Sequence, residues 1–515
     1  MKPARRSIIK AALIVVIGAA ILLAAAGPIL SAVLSKKVQE KLEAANVHIG
    51  SLSINLFTRS ISLKNVEWEK ARNKAHVSTL HASGIRIIPF LRHREIRIKR
   101  ITVEDGEMLL ERDTTKSNAV NIDSINISSI DIERISFDDI DINIKNDSIV
   151  EYHAKLGATV HFFHITDAKE FRDPAAYEFR NIETDIRGLT IHESGSLYEL
   201  KINEVTFDKE LRKFHIDSLK LEPLLNKNDF ARKVKSQETR TQLDIASIDA
   251  TGVNMAVHMG DTSIMISALT IDGAYVHAYK NKKYPFKRKE KFPLPMASFQ
   301  SLPFSVEIDS IKIHQSTITY EELPTGGFNT AHITFENVEA TMSSVNNREF
   351  KNLHPYSTLE ASARVMKTGE VKARFKLPLK AKEKYSAEGT IKNVPLHELN
   401  PLLTDLAFVE ISTGRLNNMD FFFSYDDVDS KGQLHFDYED LRIIGLKKEP
   451  EKGLAAFKTV LINTALKNDQ TLTGNIDVLR NQKKAVFNLW TISLVDGIRD
   501  AMVPVGKSKA NKKGK

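Results

Sequence analysis

From residue 47 onward the chain reuses one spacing of apolar residues: a second two positions on, a third three further, a fourth two beyond that. It reads as Val47, Ile49, Leu52, Ile54; as Ile96, Ile98, Ile101, Val103; and as Ile125, Ile127, Ile130, Ile132. It returns as Phe214, Ile216, Leu219, Leu221; as Ile264, Ile266, Leu269, Ile271; and as Val306, Ile308, Ile311, Ile313. The copies stand at unequal intervals, so this is one structural unit reused and not a solenoid of fixed period. A two-residue step is strand alternation, whereas a three-residue step turns the next side chain to the opposite face unless one residue is absorbed as a bulge or corner. The spacing therefore predicts strand, bulge, strand, with Ile96, Ile98, Ile101 and Val103 on one face and Arg97, Lys99 and Thr102 toward water. Residues 122–144 carry the pattern most densely, with pairs of apolar residues recurring at five-residue steps between Asp, Ser and Glu. A sheet bent at many successive strands curls into a trough, whose expected lining is Ile96, Ile98, Ile101, Val103, Ile125, Ile127, Ile130, Ile132, Val306, Ile308, Ile311 and Ile313, and a sandwich or barrel whose strands carry corners is the competing architecture.

Helical periodicity is confined to a few places. Residues 395–407 put Leu396, Leu399, Leu403 and Leu406 on one side, with Asn393 or Val394 near the cap. Val486, Trp490, Leu494 and Ile498 form an i, i+4 stripe beside Phe487, which predicts an amphipathic helix lying as a lid over a sheet edge or groove mouth. Residues 223–242 are charged and poor in apolar side chains, and residues 280–303 hold Pro285, Pro293, Pro295 and Pro303 among lysines, so both read as loops.

At the start, Lys2, Arg5, Arg6 and Lys10 precede the uncharged stretch 11–34. As a helix those residues would measure about 36 Å, against roughly 30 Å of bilayer hydrocarbon. With the basic flank first, the stretch is expected to be a transmembrane helix that continues to residue 45, with the N-terminus cytoplasmic and the body outside. A cleaved signal peptide ending at Ala24, Ala25 and Ala26 is the alternative.

The remaining 470 or so positions suit strands, because Ile and Val dominate the apolar set while aromatic content is 7%. The chain has no cysteine, which excludes disulfides, cysteine zinc sites and thiol nucleophiles together. Its net charge of +8 gathers in a tail (Lys507, Lys509, Lys512, Lys513, Lys515) and in seven Lys/Arg between residues 280 and 291. On an exported body these read as solvated loops or contacts to anionic headgroups, and no nucleic-acid partner is expected.

Neither a Walker A loop nor GxGxxG, GxSxG or HExxH occurs. His161 and His164 flank two phenylalanines, and strict alternation would set them on opposite faces of a strand. The run from Asp426 to Gly432 resembles the opening of a calcium loop, but Lys431 occupies a ligand position and no Glu closes it, so a hairpin turn is expected. No catalytic residue, cofactor or metal is assigned.

Residues 47–57, VHIGSLSINLF, followed by residues 60–66, SISLKNV, resemble the start of the AsmA-like proteins. Residues 385–401, YSAEGTIKNVPLHELNP, then 411–416, ISTGRL, and 432–441, GQLHFDYEDL, resemble the C-terminal module of that family. The resemblance brackets residues 10–446. It implies one inner-membrane helix, a periplasmic body built as a repeating β-groove, no catalytic residues, and kinship with TamB-related and bridge-like lipid transfer proteins.

The expected molecule is thus mostly β, an elongated, curved antiparallel sheet forming an apolar groove, with one N-terminal transmembrane helix and a few short helices. Its expected divisions are a cytoplasmic segment 1–10, the membrane helix and its continuation 11–45, β-groove regions 46–222 and 304–480 around middle strands 223–303, and a helix with a basic tail 481–515. The expected partners are membrane lipids, phospholipid acyl chains above all, and envelope proteins. The expected role is to bind or move phospholipid from a bacterial inner-membrane anchorage. A non-enzymatic assembly factor for outer-membrane proteins or surface polysaccharide is the alternative.

Overall fold

The computed structural model describes residues 46–111 (except 56 and 71), 128–166 (except 147 and 148), 178–258, 261–286, 291–347 (except 328), 355–379, 383–448 (except 408), 457–460 and 470–502. The expected membrane helix, the positions of Ile125 and Ile127, and the basic tail lie outside these residues. No helix among the described residues is long and apolar enough to cross a membrane. The body is mostly β, and the chain divides into two compact units that meet between Leu219 and Lys220.

The first unit runs β1 (Val47–Asn55), β2 (Ser60–Lys70), β3 (Asn73–Ser83), α1 (Ile87–His93), β4 (Glu95–Glu111), β5 (Ser129–Asn146), β6 (Ile149–Ile165), β7 (Asn181–Ile191) and β8 (Tyr198–Asp208). Strand β9 (Lys213–Pro223) carries the chain across the boundary. Each of β1 to β7 pairs with the next, antiparallel everywhere except between β4 and β5.

That parallel pair corrects the antiparallel expectation, and its cause is the repeat. Ile96, Ile98, Ile101 and Val103 stand opposite Ile130, Ile132, Ile135 and Phe137, so two copies of the spacing lie side by side in the same direction. The frame differs from the one read in sequence by one five-residue step, because a pattern that repeats every five residues can be entered at either step.

The three-residue steps are accommodated by whole rows of odd residues, not by one bulge per strand. Gly50, Asn65, Ser78, Asp105 and Asp139 stand opposite one another across β1 to β5, where the register passes over one residue on both partners. Asn65, Asp105 and Asp139 adopt φ of 52°, 50° and 50°, the left-handed region that Asn and Asp enter most readily after glycine. Each such residue rotates the chain once, which restores the apolar face beyond it. A second row joins Gly84, Lys99, Glu133 and Phe162, with φ of 67° at Gly84 and 53° at Phe162.

The second unit contains α2 (Lys227–Val234), β10 (Thr239–Thr251), β11 (Asn254–His258), β12 (Asp261–Asp272), β13 (Tyr275–Asn281), α3 (Pro295–Gln300), β14 (Ser305–Leu323) and β15 (Ala331–Asn346). It continues as β16 (Tyr356–Val365), β17 (Gly369–Pro378), β18 (Tyr385–Pro395), a 3-10 turn (Leu396–Leu399), α4 (Asn400–Ala407), β19 (Val409–Tyr425), β20 (Asp429–Lys448), β21 (Phe457–Val460), β22 (Gln470–Leu479) and α5 (Val486–Met502). Strands β12 and β13 both pair with β14 in parallel, and here again two copies meet: Ile264, Ile266, Leu269 and Ile271 face Val306, Ile308, Ile311 and Ile313.

The stretches read as loops are partly helical. Asn226 caps α2, its side chain accepting the N–H groups of Asn228 and Asp229 at 3.1 and 2.9 Å, and Pro295 opens α3 at a first-turn position where a missing N–H costs nothing. The expected helical segment forms over residues 396–407, split into the 3-10 turn and α4. Asn400 at its junction bonds both the N–H and the C=O of Ile411, at 2.8 and 2.9 Å, mimicking a strand partner.

Candidate functional site

In the first unit one face of the sheet is apolar along its whole width. Leu63, Leu80, Val103, Phe137, Ala158, Thr184 and Phe207 stand opposite one another in turn from β2 to β8. A parallel row runs Val66, Val77, Gly106, Ile140, Leu156, Ile186, Val205. The opposite face of the same strands carries Lys155, Arg187 and Glu204, and Thr159, Glu183 and Asp208.

Burial changes along those rows. In β2 to β5 the face is a packed core: Ile96 and Ile98 are each 2% exposed, Ile101, Ile130 and Ile132 each 1%, and Val103 0%. These side chains belong to one cluster with Trp68, Phe137 and Phe163, and Phe90 of α1 packs against it. Arg97 and Lys99 are exposed and Thr102 is half-buried. From β6 outward the same rows are half-buried: Leu156, Ala158 and Val160, then Ile182 and Ile186, then Val205 and Phe207. The apolar surface thus passes without a break in pattern from a closed core to strands that leave it within reach of solvent.

In the second unit Val306 and Ile308 are buried with Val345, while Ile311 and Ile313 are half-buried. Farther on, β17 to β20, β22 and α5 enclose a filled core. Trp490 stacks on Phe375 at 4.6 Å between centroids and meets Tyr425 edge-on at 6.2 Å. Burial raises the pKa of the Tyr425 hydroxyl, an effect that the Trp490 N–H partly offsets.

Helix α5 buries a different line from the stripe read in sequence. Val486, Leu489, Ser493 and Gly497 point inward, and Trp490, Leu494 and Ile498 flank them half-buried. Small residues head that line because the backbones approach closely: a Cβ on Gly474 of β22 would lie 1.8 Å from the carbonyl oxygen of Gly497. Hydrophobicity patterns pass over Ser and Gly, so the seam gave no signal. The helix also covers the outer edge of β22, where Asp500 and Asp496 accept the N–H groups of Asn475 and Asp477 at 2.9 and 3.0 Å.

The polar groups singled out in the sequence are engaged with neighbouring strands and turns. His161 and His164 share one face, contrary to alternation, because Phe162 is the left-handed odd residue between them; they meet Glu183 at 3.0 Å and Asp131 at 2.6 Å. Asp426 accepts the N–H groups of Val428 and Asp429 at 2.7 and 3.0 Å, an Asx turn that closes the β19–β20 hairpin. Glu321 sits between Lys227 and His277; burial works against its charge, but those two hydrogen-bond partners hold its carboxyl below the usual range. Arg480, its side chain 1% exposed, pairs with Asp427 and donates to the Phe292 carbonyl at 2.6 Å, tying the segment before α3 to the end of β22. No group of metal-ligating side chains occurs among the described residues.

Fold and site together define a mostly β protein with a mixed sheet, whose distinctive surface is an apolar face built from repeated, bent strands. No family model and no curated protein matches the chain.

Proposed function

We propose that the chain is a membrane-tethered, AsmA-like β-groove protein that binds phospholipid acyl chains on the apolar face of its sheet, from an anchorage in a bacterial inner membrane with the body in the periplasm. The observation that carries this reading is the continuity of the apolar rows from the closed core at β4 and β5 to the half-buried positions on β6 to β8. An acyl chain laid along Leu156, Ile186 and Val205 would hide their surface from water, at about 25 cal/mol per Å² removed. Its headgroup would remain in solvent. The proposed role is one of binding and handing on.

The test is paired. Ile98 is packed on all sides, so Ile98→Asp buries a lone charge and should cost more than about 4 kcal/mol or prevent folding. Ile186→Asp places the same charge where water reaches it and should cost about 1 kcal/mol while sharply reducing the phospholipid that co-purifies with the full chain, read by mass spectrometry. Thr190→Asp, on the polar face of the same strand, should change neither. Unaltered lipid content in Ile186→Asp would remove the groove from β6 to β8.

A further inference from the structure

We propose that one end of the first unit, formed by the β1–β2 turn and α1, docks on an anionic lipid bilayer surface. The two elements lie together: the N–H of Ile85, just before α1, donates to the carbonyl of Arg59 in the turn at 3.1 Å. Each presents large apolar side chains to water. Phe57 is fully exposed at the tip, and Ile88 and Leu91 of α1 are 65% and 53% exposed. Leu52 and Ile54 of β1 add a third exposed strip beside the turn.

These residues are held outward by built features. The Asn55 side chain accepts the N–H groups of Phe57 and Thr58 at 3.0 and 3.1 Å, which fixes the turn with Phe57 pointing away. Helix α1 is seated from below by Phe90 on the core, and its C-terminal Arg94, at φ 59°, returns its N–H to the Phe90 carbonyl. Ile88 and Leu91, three apart, are then left on the outer side. Of the nine large apolar side chains exposed among the described residues of the first unit, five gather at this end, and Phe57 and Ile88 are the two most exposed of the nine.

The charge around them selects the partner. Between residues 84 and 100 there are six Arg or Lys and a single acid, Glu95. Two of the six are engaged by carboxylates, Arg86 with Glu133 at 3.4 Å and Arg97 with Glu95 at 2.8 Å. Arg92, Arg94, Lys99 and Arg100 are exposed with no carboxylate partner among the described residues. Apolar tips surrounded by unpaired arginines suit a bilayer interface, where the tips enter the acyl boundary and the guanidinium groups meet lipid phosphates. This surface does not depend on acyl chains entering the sheet's apolar face, and the lipid-content measurement above fails or succeeds independently of it.

The chain has no cysteine, so single-cysteine probes report without background. Full-length Phe57→Cys and Leu91→Cys, labelled with an environment-sensitive dye, would be placed with vesicles of phosphatidylcholine alone or mixed with phosphatidylglycerol. Lipids carrying nitroxides should quench both probes several-fold more in the anionic vesicles than they quench the same dye at Leu211→Cys, an exposed position elsewhere in the unit. Adding Arg92→Glu and Arg94→Glu should bring the Leu91 probe down to the Leu211 level. Equal quenching at all three positions overturns the proposal. So does shielding of the Phe57 and Leu91 probes in detergent without vesicles, which would assign the patch to a protein contact.

Discussion

Asp105 and Asp139 are the residues on which the repeat turns. A run of alternating side chains tolerates a three-residue step only where one residue takes a conformation that most amino acids avoid, and here an aspartate does so at φ 50° on both β4 and β5. For a β-branched residue the left-handed region is costly, so Asp105→Val should destabilise the first unit by about 1–2 kcal/mol, whereas Asp105→Gly should be near neutral. Urea unfolding of the two variants checks the difference. Equal losses would mean that the carboxylate, not the backbone, matters at this position. The carboxylates themselves looked in sequence like any solvated sheet face. That some were recruited for their backbone tolerance was invisible, because nothing in their spacing separates them from Glu104 or Asp138 beside them.

At the scale of elements, the spacing marked β1, β4, β9, β12 and β14, and helical periodicity marked the segment around α4 and helix α5, since periods of two and near four leave distinct apolar records. Which copies pair, and in which direction, depended on contacts between segments far apart in the chain. Helix α5 shows both sides of this. Its existence was legible, but its buried line was not, because close backbone approach favours Ser493 and Gly497 over large side chains. Two consequences can be measured. Gly474→Val should push the helix from β22 and cost at least about 2 kcal/mol by overpacking. Replacing Asp496 and Asp500 together by Ala should leave α5 folded but free two N–H groups on β22, costing about 1 kcal/mol each and raising aggregation in light scattering. No change in aggregation would show that the edge is guarded by the helix body alone.

For the whole molecule, the decisive expectation is where the body sits. If residues 11–34 span the inner membrane, protease added to spheroplasts should digest the body, and the full chain should sediment with membranes. A soluble mature form beginning at Gly27 would replace the anchor by a cleaved signal. The groove reading belongs to this scale too. A core such as that around Ile98 and Val103 stabilises the fold whatever the protein does, while the half-buried positions Ile182 and Ile186 of β7 and Val205 and Phe207 of β8 keep apolar surface that a ligand would cover.

The apolar spacing by itself determined that the chain is mostly β, that Ile96, Ile98, Ile101 and Val103 share a face with Arg97 and Lys99 opposite, and that few helices interrupt the strands. These follow from local geometry, since side-chain direction in a strand depends only on position and on the odd residues absorbed. It did not determine that β4 and β5 run parallel, that His161 and His164 share a face, or that the same apolar face is sealed at β5 and half-open at β7. Those outcomes depend on which strands become neighbours and on what covers each row. Burial is a property of that assembled surface, so identical patterns of isoleucine and valine end in a packed core at one strand and within reach of solvent a few strands later.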